Sequence, residues 1–214
     1  LLRKAAAIAR SGELGAIRHV EVTFGFTFTG DDDHRMLNPA LAGGAILDLG
    51  VYPTHVIDVF LGEPSAVYGA GYLARTGVDA HTAAIFDYPA TDDRPAATAS
   101  ALATMDITPA NRATVYCEQG RIELGNVVKP ESIMVFRGAL GDPGEGQPTE
   151  TSEEIVTQLP GSGYTLQAQE VMYRLRAGEL ESPLVPWADT LGVARTLERW
   201  AAVVRGPGRL EETR

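Results

Sequence analysis

From Val20 to Phe28 the chain alternates without interruption, with Val20, Val22, Phe24, Phe26 and Phe28 on one side and Glu21, Thr23, Gly25 and Thr27 on the other. A repeat of two residues fits a strand with one face buried and fits no helix. Residues 65–73, 82–88, 96–104, 113–117, 121–124, 133–136 and 154–158 read the same way. Short polar turns such as "PATDDRP" and "EQGR" join several of these segments, so those neighbours should pair antiparallel. Helical stretches occupy both ends and residues near 45–60, and no strand-helix-strand alternation runs through the chain. The expected class is therefore α+β, a large open and mostly antiparallel sheet with helices packed on one face. An uncovered broad sheet face would exceed the apolar patch that a monomer tolerates, so a homo-oligomer is expected through that face.

Composition narrows the partners. With 214 residues and 44% hydrophobic side chains the chain can bury a sizeable core. A formal net charge of -10 without a basic run argues against a nucleic-acid partner. The most apolar window, 41–62, contains Asp48, His55 and Asp58, so no membrane span is expected. Cys117 is the only cysteine, which leaves no intramolecular disulfide and no multi-cysteine metal site. That suits a reducing cytoplasm, although any export signal would lie upstream of Leu1. Residues 1–214 read as one domain, with the Gly- and Pro-rich 138–152 as a long loop between strands. Residues 183–186 read as an extended stop, with the last helix starting at Trp187 or Ala188.

Chemistry concentrates in residues 43–55, Gly-Gly-Ala-Ile-Leu-Asp-Leu-Gly-Val-Tyr-Pro-Thr-His. If the run is helical, steps of four and three residues stack Asp48, Tyr52 and His55 on one face, with Ile46, Leu49, Val56, Val59 and Phe60 on the apolar side. Pro53 predicts a kink beside that face. Gly43 and Gly44 permit close backbone approach, either to a cofactor or to a neighbouring strand. Arg35, on the preceding loop, could reach a substrate or cofactor group, but pairing with Asp31, Asp32 or Asp33 is the plainer expectation. Those three consecutive carboxylates fit turn chemistry better than a metal site, and no metal site is assigned. Gly69-Ala70-Gly71-Tyr72-Leu73-Ala74 imitates a dinucleotide fingerprint, yet it continues into a strand where the fingerprint must open a helix, so it receives no cofactor role. His19 reads as a solvent-side strand residue, and His81 as either lining a substrate face or sitting on the sheet.

The 43–55 run resembles the Gly-Gly-x-x-x-Asp-x-Gly-x-(His/Tyr) signature of the glucose–fructose oxidoreductase, inositol dehydrogenase and MocA family of nicotinamide-dependent oxidoreductases. Residues 1–15, ending "SGELG", resemble that family's crossover helix. Residues 17–28 are similar to the strand opening its second domain, and "LQAQEVMYRLRAGELESPLVPWADTLGVARTLERW" to its closing helices. The resemblance implies a carboxyl-terminal substrate-binding and oligomerisation domain, built like that of glyceraldehyde-3-phosphate dehydrogenase. The Rossmann domain, with its Gly-rich turn and lysine-bearing Glu-Lys-Pro motif, would lie outside these residues, as an opening helix already in progress also suggests. NAD or NADP would be bound mainly by that missing half. Tyr52, as in a dihydrodiol dehydrogenase-like branch, would exchange the substrate proton, Asp48 would orient it, and His55 would be a supporting partner. The implied activity is hydride transfer between nicotinamide and a sugar, polyol, diol or related small hydroxy compound, with these residues alone inactive. The alternatives are a non-catalytic ligand-binding or dimerisation module, and a cofactor-retaining glycosidase of the same family.

Overall fold

The computed structural model describes residues 1–138, 151–158, 161 and 163–206. The expected 138–152 loop therefore lies, over 139–150, outside the described residues. Helix α1 (Leu2–Arg10) leads into strand β1 (Ile17–Gly25). Two 3-10 turns (Arg35–Leu37 and Pro39–Leu41) then precede α2 (Ala45–Asp48) and α3 (Val51–Leu61). Strands β2 (Ala66–Leu73), β3 (Asp79–Tyr88), β4 (Ala97–Thr104), β5 (Ala113–Cys117), β6 (Gly120–Leu124), β7 (Ser132–Arg137) and β8 (Thr151–Val156) follow. Helices α4 (Tyr164–Arg176) and α5 (Trp187–Arg205) come last.

The eight strands form one sheet in the order β2-β3-β4-β1-β5-β6-β7-β8. Consecutive strands pair antiparallel from β2 to β4 and again from β5 to β8. The first strand sits between these two meanders, parallel to β4 and antiparallel to β5. The expected open, mostly antiparallel sheet is what the chain forms, with one parallel pair.

Alternation then decides the faces. Val20 and Val22 register with Ala99 and Ala101 and are wholly or almost wholly buried. The inward side of β4 is all alanine at 97, 99, 101 and 103, a flat floor that lets helices approach closely. Helix α3 lies over β1 and β4, and α5 over β2 and β3. Trp200 of α5 is fully buried and meets Phe86 of β3 edge-on, with centroids 5.8 Å apart. An aromatic pair of this kind adds about 0.5–1.5 kcal/mol to the area it buries. The opposite face keeps Tyr68, Tyr72, Ile85 and Tyr116 exposed.

Two boundaries differ from expectation. Strand β1 ends at Gly25 rather than Phe28, because Asn111 Oδ1 accepts from the Gly25 N–H (2.8 Å) beyond the reach of β5, which begins at Ala113. The chain nonetheless continues along the end of β4, since Phe26 and Phe28 N–H donate to the carbonyls of Thr104 and Met105. Residues 183–186 are not extended: Ser182 and Val185 form an isolated bridge across a tight turn, and α5 starts at Trp187 as expected. Helix α4 buries no side chain and is braced by the Glu170–Arg174 pair and the Ser182 hydroxyl on Glu170 (2.6 Å). Among the described residues no single helix is long and apolar enough to cross a membrane.

Candidate active site

Beyond β1 the chain makes two tight turns. His34 Nδ1 accepts from the Met36 N–H, and Asn38 Oδ1 from the Ala40 N–H, each capping one 3-10 turn. The glycine pair comes next, and both of its members are required by space. A Cβ on Gly43 would stand 2.6 Å from the carbonyl oxygens of Arg35 and Met36. Gly44 has φ +127°, and a Cβ there would stand 2.6 Å from Asp79 Oδ1 on β3. Of the two expectations for these glycines, the structure shows the close approach to the chain's own neighbouring segments.

The 45–61 stretch is not one helix. Helix α2 ends after a single turn: Leu49 N–H donates to Ala45 O (2.9 Å), and Gly50 N–H reaches back five residues to the same oxygen (2.8 Å). Helix α3 then begins at Val51, and the helical run Pro39–Asp48 meets Val51–Leu61 at 46°. The bend expected at Pro53 thus lies before it. In a continuous helix the Pro53 ring would collide with the Leu49 carbonyl and leave it without its donor. Breaking at Leu49–Gly50 places Pro53 in the first turn of α3, where a missing N–H costs nothing, and the Leu49 oxygen accepts from Tyr52 N–H instead (3.2 Å).

The break redistributes the three proton-handling side chains. Asp48 closes α2, with Oδ1 on the Arg35 guanidinium and Oδ2 buried without a hydrogen-bond partner. Arg35 therefore does not pair with the 31–33 carboxylates as expected, because Asp48 takes it. Asp32 pairs with Arg75, while the Asp31 carbonyl closes a turn on His34 N–H (3.0 Å). Tyr52, in the first turn of α3, lays its ring against Phe24 of β1 with centroids 4.6 Å apart. It remains 39% exposed, and among the described residues no hydrogen bond reaches its hydroxyl.

His55 does not join them. It lines a cavity of about 830 Å³ between α1, α3 and the start of α5, together with Arg3, Asp58 and Asp189, and neither Asp48 nor Tyr52 lines that space. Burial pushes the imidazole below its ordinary range; Asp189 opposes that shift and Arg3 adds to it. In the same cavity burial, then Asp189 and Glu63, push the Asp58 carboxyl up to about 6.

The remaining motifs resolve simply. Gly69 and Gly71 lie inside β2, packed against carbonyls of β3, so the fingerprint-like run cannot open a helix. His81 sits on the sheet, stacked on Tyr72 (5.1 Å) and bonded to the Thr104 hydroxyl (2.9 Å). His19 lies on the open face of the sheet as expected, half-buried there between the hydroxyls of Thr98 and Ser100. Sequence reasoning passes over Asp79, a carboxylate with no exposed surface directly beneath Gly44. The signal for it is an acid between Val78 and Ala80 at the head of an apolar strand.

A buried carboxylate oxygen without a partner and, four residues on across the helix break, an exposed phenol are group types that can hold and pass a proton at a hydroxyl or carbonyl group. Residues 2–123 match the family model described as the GFO/IDH/MocA C-terminal domain. An NADP(+)-dependent D-xylose 1-dehydrogenase of Hypocrea jecorina is 30% identical over 177 residues, 78% of this chain and 45% of that protein. A trans-1,2-dihydrobenzene-1,2-diol dehydrogenase of Macaca fuscata fuscata is 28% identical over 200 residues, 89% of this chain and 54% of its own length. The crystal structure of an aldose-aldose oxidoreductase from Caulobacter crescentus, solved with glycerol, superposes with a TM-score of 0.74 at 25% identity, covering 95% of this chain and 58% of the other. The chain thus spans about half the length of the curated relatives it matches. The glycine pair, Asp48, Tyr52 and strands β1 to β5 all fall within the matched residues, and the chain belongs to the GFO/IDH/MocA family, of which it carries the C-terminal domain.

Proposed function

We propose that residues 1–214 form the substrate-binding domain of an NAD(P)-dependent oxidoreductase that acts on a sugar, polyol, diol or related small hydroxy compound. The observation that carries the reading is the pair of groups at the break between α2 and α3, the buried Asp48 Oδ2 without a partner and the exposed Tyr52. The relatives named above, a sugar dehydrogenase and a diol dehydrogenase, support the substrate class. Tyr52 takes the proton of the alcohol during oxidation and returns it during carbonyl reduction. Asp48 fixes the substrate or its neighbour through Oδ2 while Arg35 holds its other oxygen. The glycine-rich segment of β2 cannot cradle a pyrophosphate, so this reading seats the cofactor's phosphates on a separate dinucleotide-binding domain, with Gly43 and Gly44 bordering the nicotinamide end. When bound, the nicotinamide supplies the hydride acceptor or donor.

We place the protein in the cytoplasm, in keeping with a single thiol that burial pushes up to about 11. A second copy covers the open sheet face, where Tyr68, Ile85 and Leu102 line an apolar hollow of about 510 Å³. The test is nicotinamide absorbance in the full-length protein against a panel of sugars and diols. Tyr52→Phe should lower kcat by about 10²–10³-fold, within the range for loss of a general acid-base, and leave the KM for cofactor unchanged. Unchanged turnover in that variant, or no nicotinamide consumption by the wild type, would overturn the reading.

A further inference from the structure

Helix α2 is one turn long, too short to hold its own direction, since an isolated turn is unfavourable in water. Its direction must come from what grips its first residues. Asp79 is that grip. Its Oδ2 accepts the Ile46 N–H at 2.6 Å, one of the N-terminal donors the short helix cannot satisfy internally. Its Oδ1 accepts from Nη2 of Arg205, in the last turn of α5 and 126 residues away in sequence. The carboxylate has no exposed surface, whereas the Arg205 side chain is 43% exposed. A buried charge of this kind persists only when paired and hydrogen-bonded, so each partner fixes the other. Gly44 closes the arrangement from above, because no side chain fits between its Cα and the Asp79 carboxylate.

We infer that Asp79, clamped by Arg205, is a positioning residue for the site: it sets the direction of α2 and with it the placement of the Asp48 carboxylate and the chain break that presents Tyr52. The line of force runs from α5 through Arg205, Asp79 and the Ile46 N–H to Asp48. It ties the last helix of the chain to the reacting groups without touching substrate. This inference rests on the roles given to Asp48 and Tyr52 in the proposed function.

The test uses the full-length protein and two readouts. Asp79→Asn keeps the shape and one acceptor but discards the charge, and Arg205→Met removes the clamp from its half-exposed end, where folding is least at risk. In both, amide hydrogen exchange at residues 46–49 should accelerate selectively relative to strands β1 and β4. At the same time kcat should fall by about 10- to 100-fold, with the cofactor KM unmoved, the size of effect a misplacement of about 1 Å produces. Arg205→Lys, which keeps the cation, should restore kcat to within about threefold of wild type. Exchange at 46–49 that rises no more than in the rest of the sheet, or kcat within twofold of wild type in Arg205→Met, would overturn the inference. If the wild-type protein consumes no nicotinamide, the proposed activity falls, and selective exchange at 46–49 still decides whether Asp79 holds α2.

Discussion

Replacing Gly44 with alanine isolates the tightest contact beneath the site. The backbone there has φ +127° and ψ 151°, a region almost reserved for glycine, and an L-residue forced into it costs about 1–3 kcal/mol. The added methyl would also stand 2.6 Å from Asp79 Oδ1 and 3.0 Å from its Cγ. The carboxylate cannot retreat into solvent, because it is fully buried, so it must swing off the Ile46 N–H. Disturbing a hydrogen bond to a charged group adds about 1.5–3 kcal/mol. The sum is on the order of 3–5 kcal/mol. Gly77 provides the control: φ is +88° and nothing lies within 4 Å of the position a Cβ would take, so Gly77→Ala carries only a backbone cost of about 1–2 kcal/mol. In urea, with a slope of about 2 kcal/mol/M, the unfolding midpoint of Gly44→Ala should lie about 1 M below that of Gly77→Ala at equal slope. Combining Gly44→Ala with Asp79→Ala should cost less than the two alone, because the second change removes the group the methyl strikes. Equal midpoints for Gly44→Ala and Gly77→Ala, or strict additivity in the double variant, would refute the steric argument.

Three further outcomes concern the cavity beside α3, the open sheet face and the ring under Tyr52. Asp58 has its folded-state pKa raised to about 6 from an ordinary 3.8, so its contribution stabilises fully below the lower value and is lost as pH rises through the upper one. The wild-type Tm should therefore decline between about pH 4 and 6.5 relative to Asp58→Asn; the carboxyl is half-exposed, which screens the effect to on the order of 1 kcal/mol, and parallel pH profiles would contradict this. Ile85→Arg places a charge on the open sheet face, so sedimentation should show a smaller species with unaltered circular dichroism, whereas an unchanged assembly would remove that face as the interface. Phe24→Ala withdraws the ring that supports Tyr52, and kcat should fall by about tenfold while the Tm drops by only a few degrees, because Phe24 is only partly buried; a kcat unaffected by the loss would show that Tyr52 needs no such support.

Much of this architecture is legible in the residues, and what is not has identifiable causes. The strands are readable because one face of each is buried, and burial on a sheet repeats every two residues whatever its neighbours are. Their order is not: that β1 sits between β4 and β5, parallel to one of them, depends on pairings about 80 to 100 residues apart that leave no mark in a local pattern. The Gly43–Gly44 pair, Asp48 and Tyr52 stand out because glycines and ionisable groups within an apolar run are costly unless used. The helix break is hidden because a proline in a first turn and a proline in mid-helix read identically, and only the Gly50 N–H reaching Ala45 O tells them apart. Nearness in sequence points Arg35 to the 31–33 acids, whereas a separation of thirteen residues folds it onto Asp48. Asp79 escapes for a related reason: a strand-initial aspartate ordinarily marks a turn, and its burial follows from a helix and a glycine brought from elsewhere.

The placement of β1 between the two meanders has a kinetic meaning. Strands β2 to β4 can zip together from neighbouring residues, and so can β5 to β8, each by hairpin steps between consecutive strands. Neither half becomes part of a continuous sheet until a strand that leaves the ribosome early finds partners that emerge well after it, at an entropic cost that grows with the loop enclosed. Both edges of β1 therefore stay unpaired until residues 97–117 have been made, and the two half-sheets wait on a single late insertion to become one.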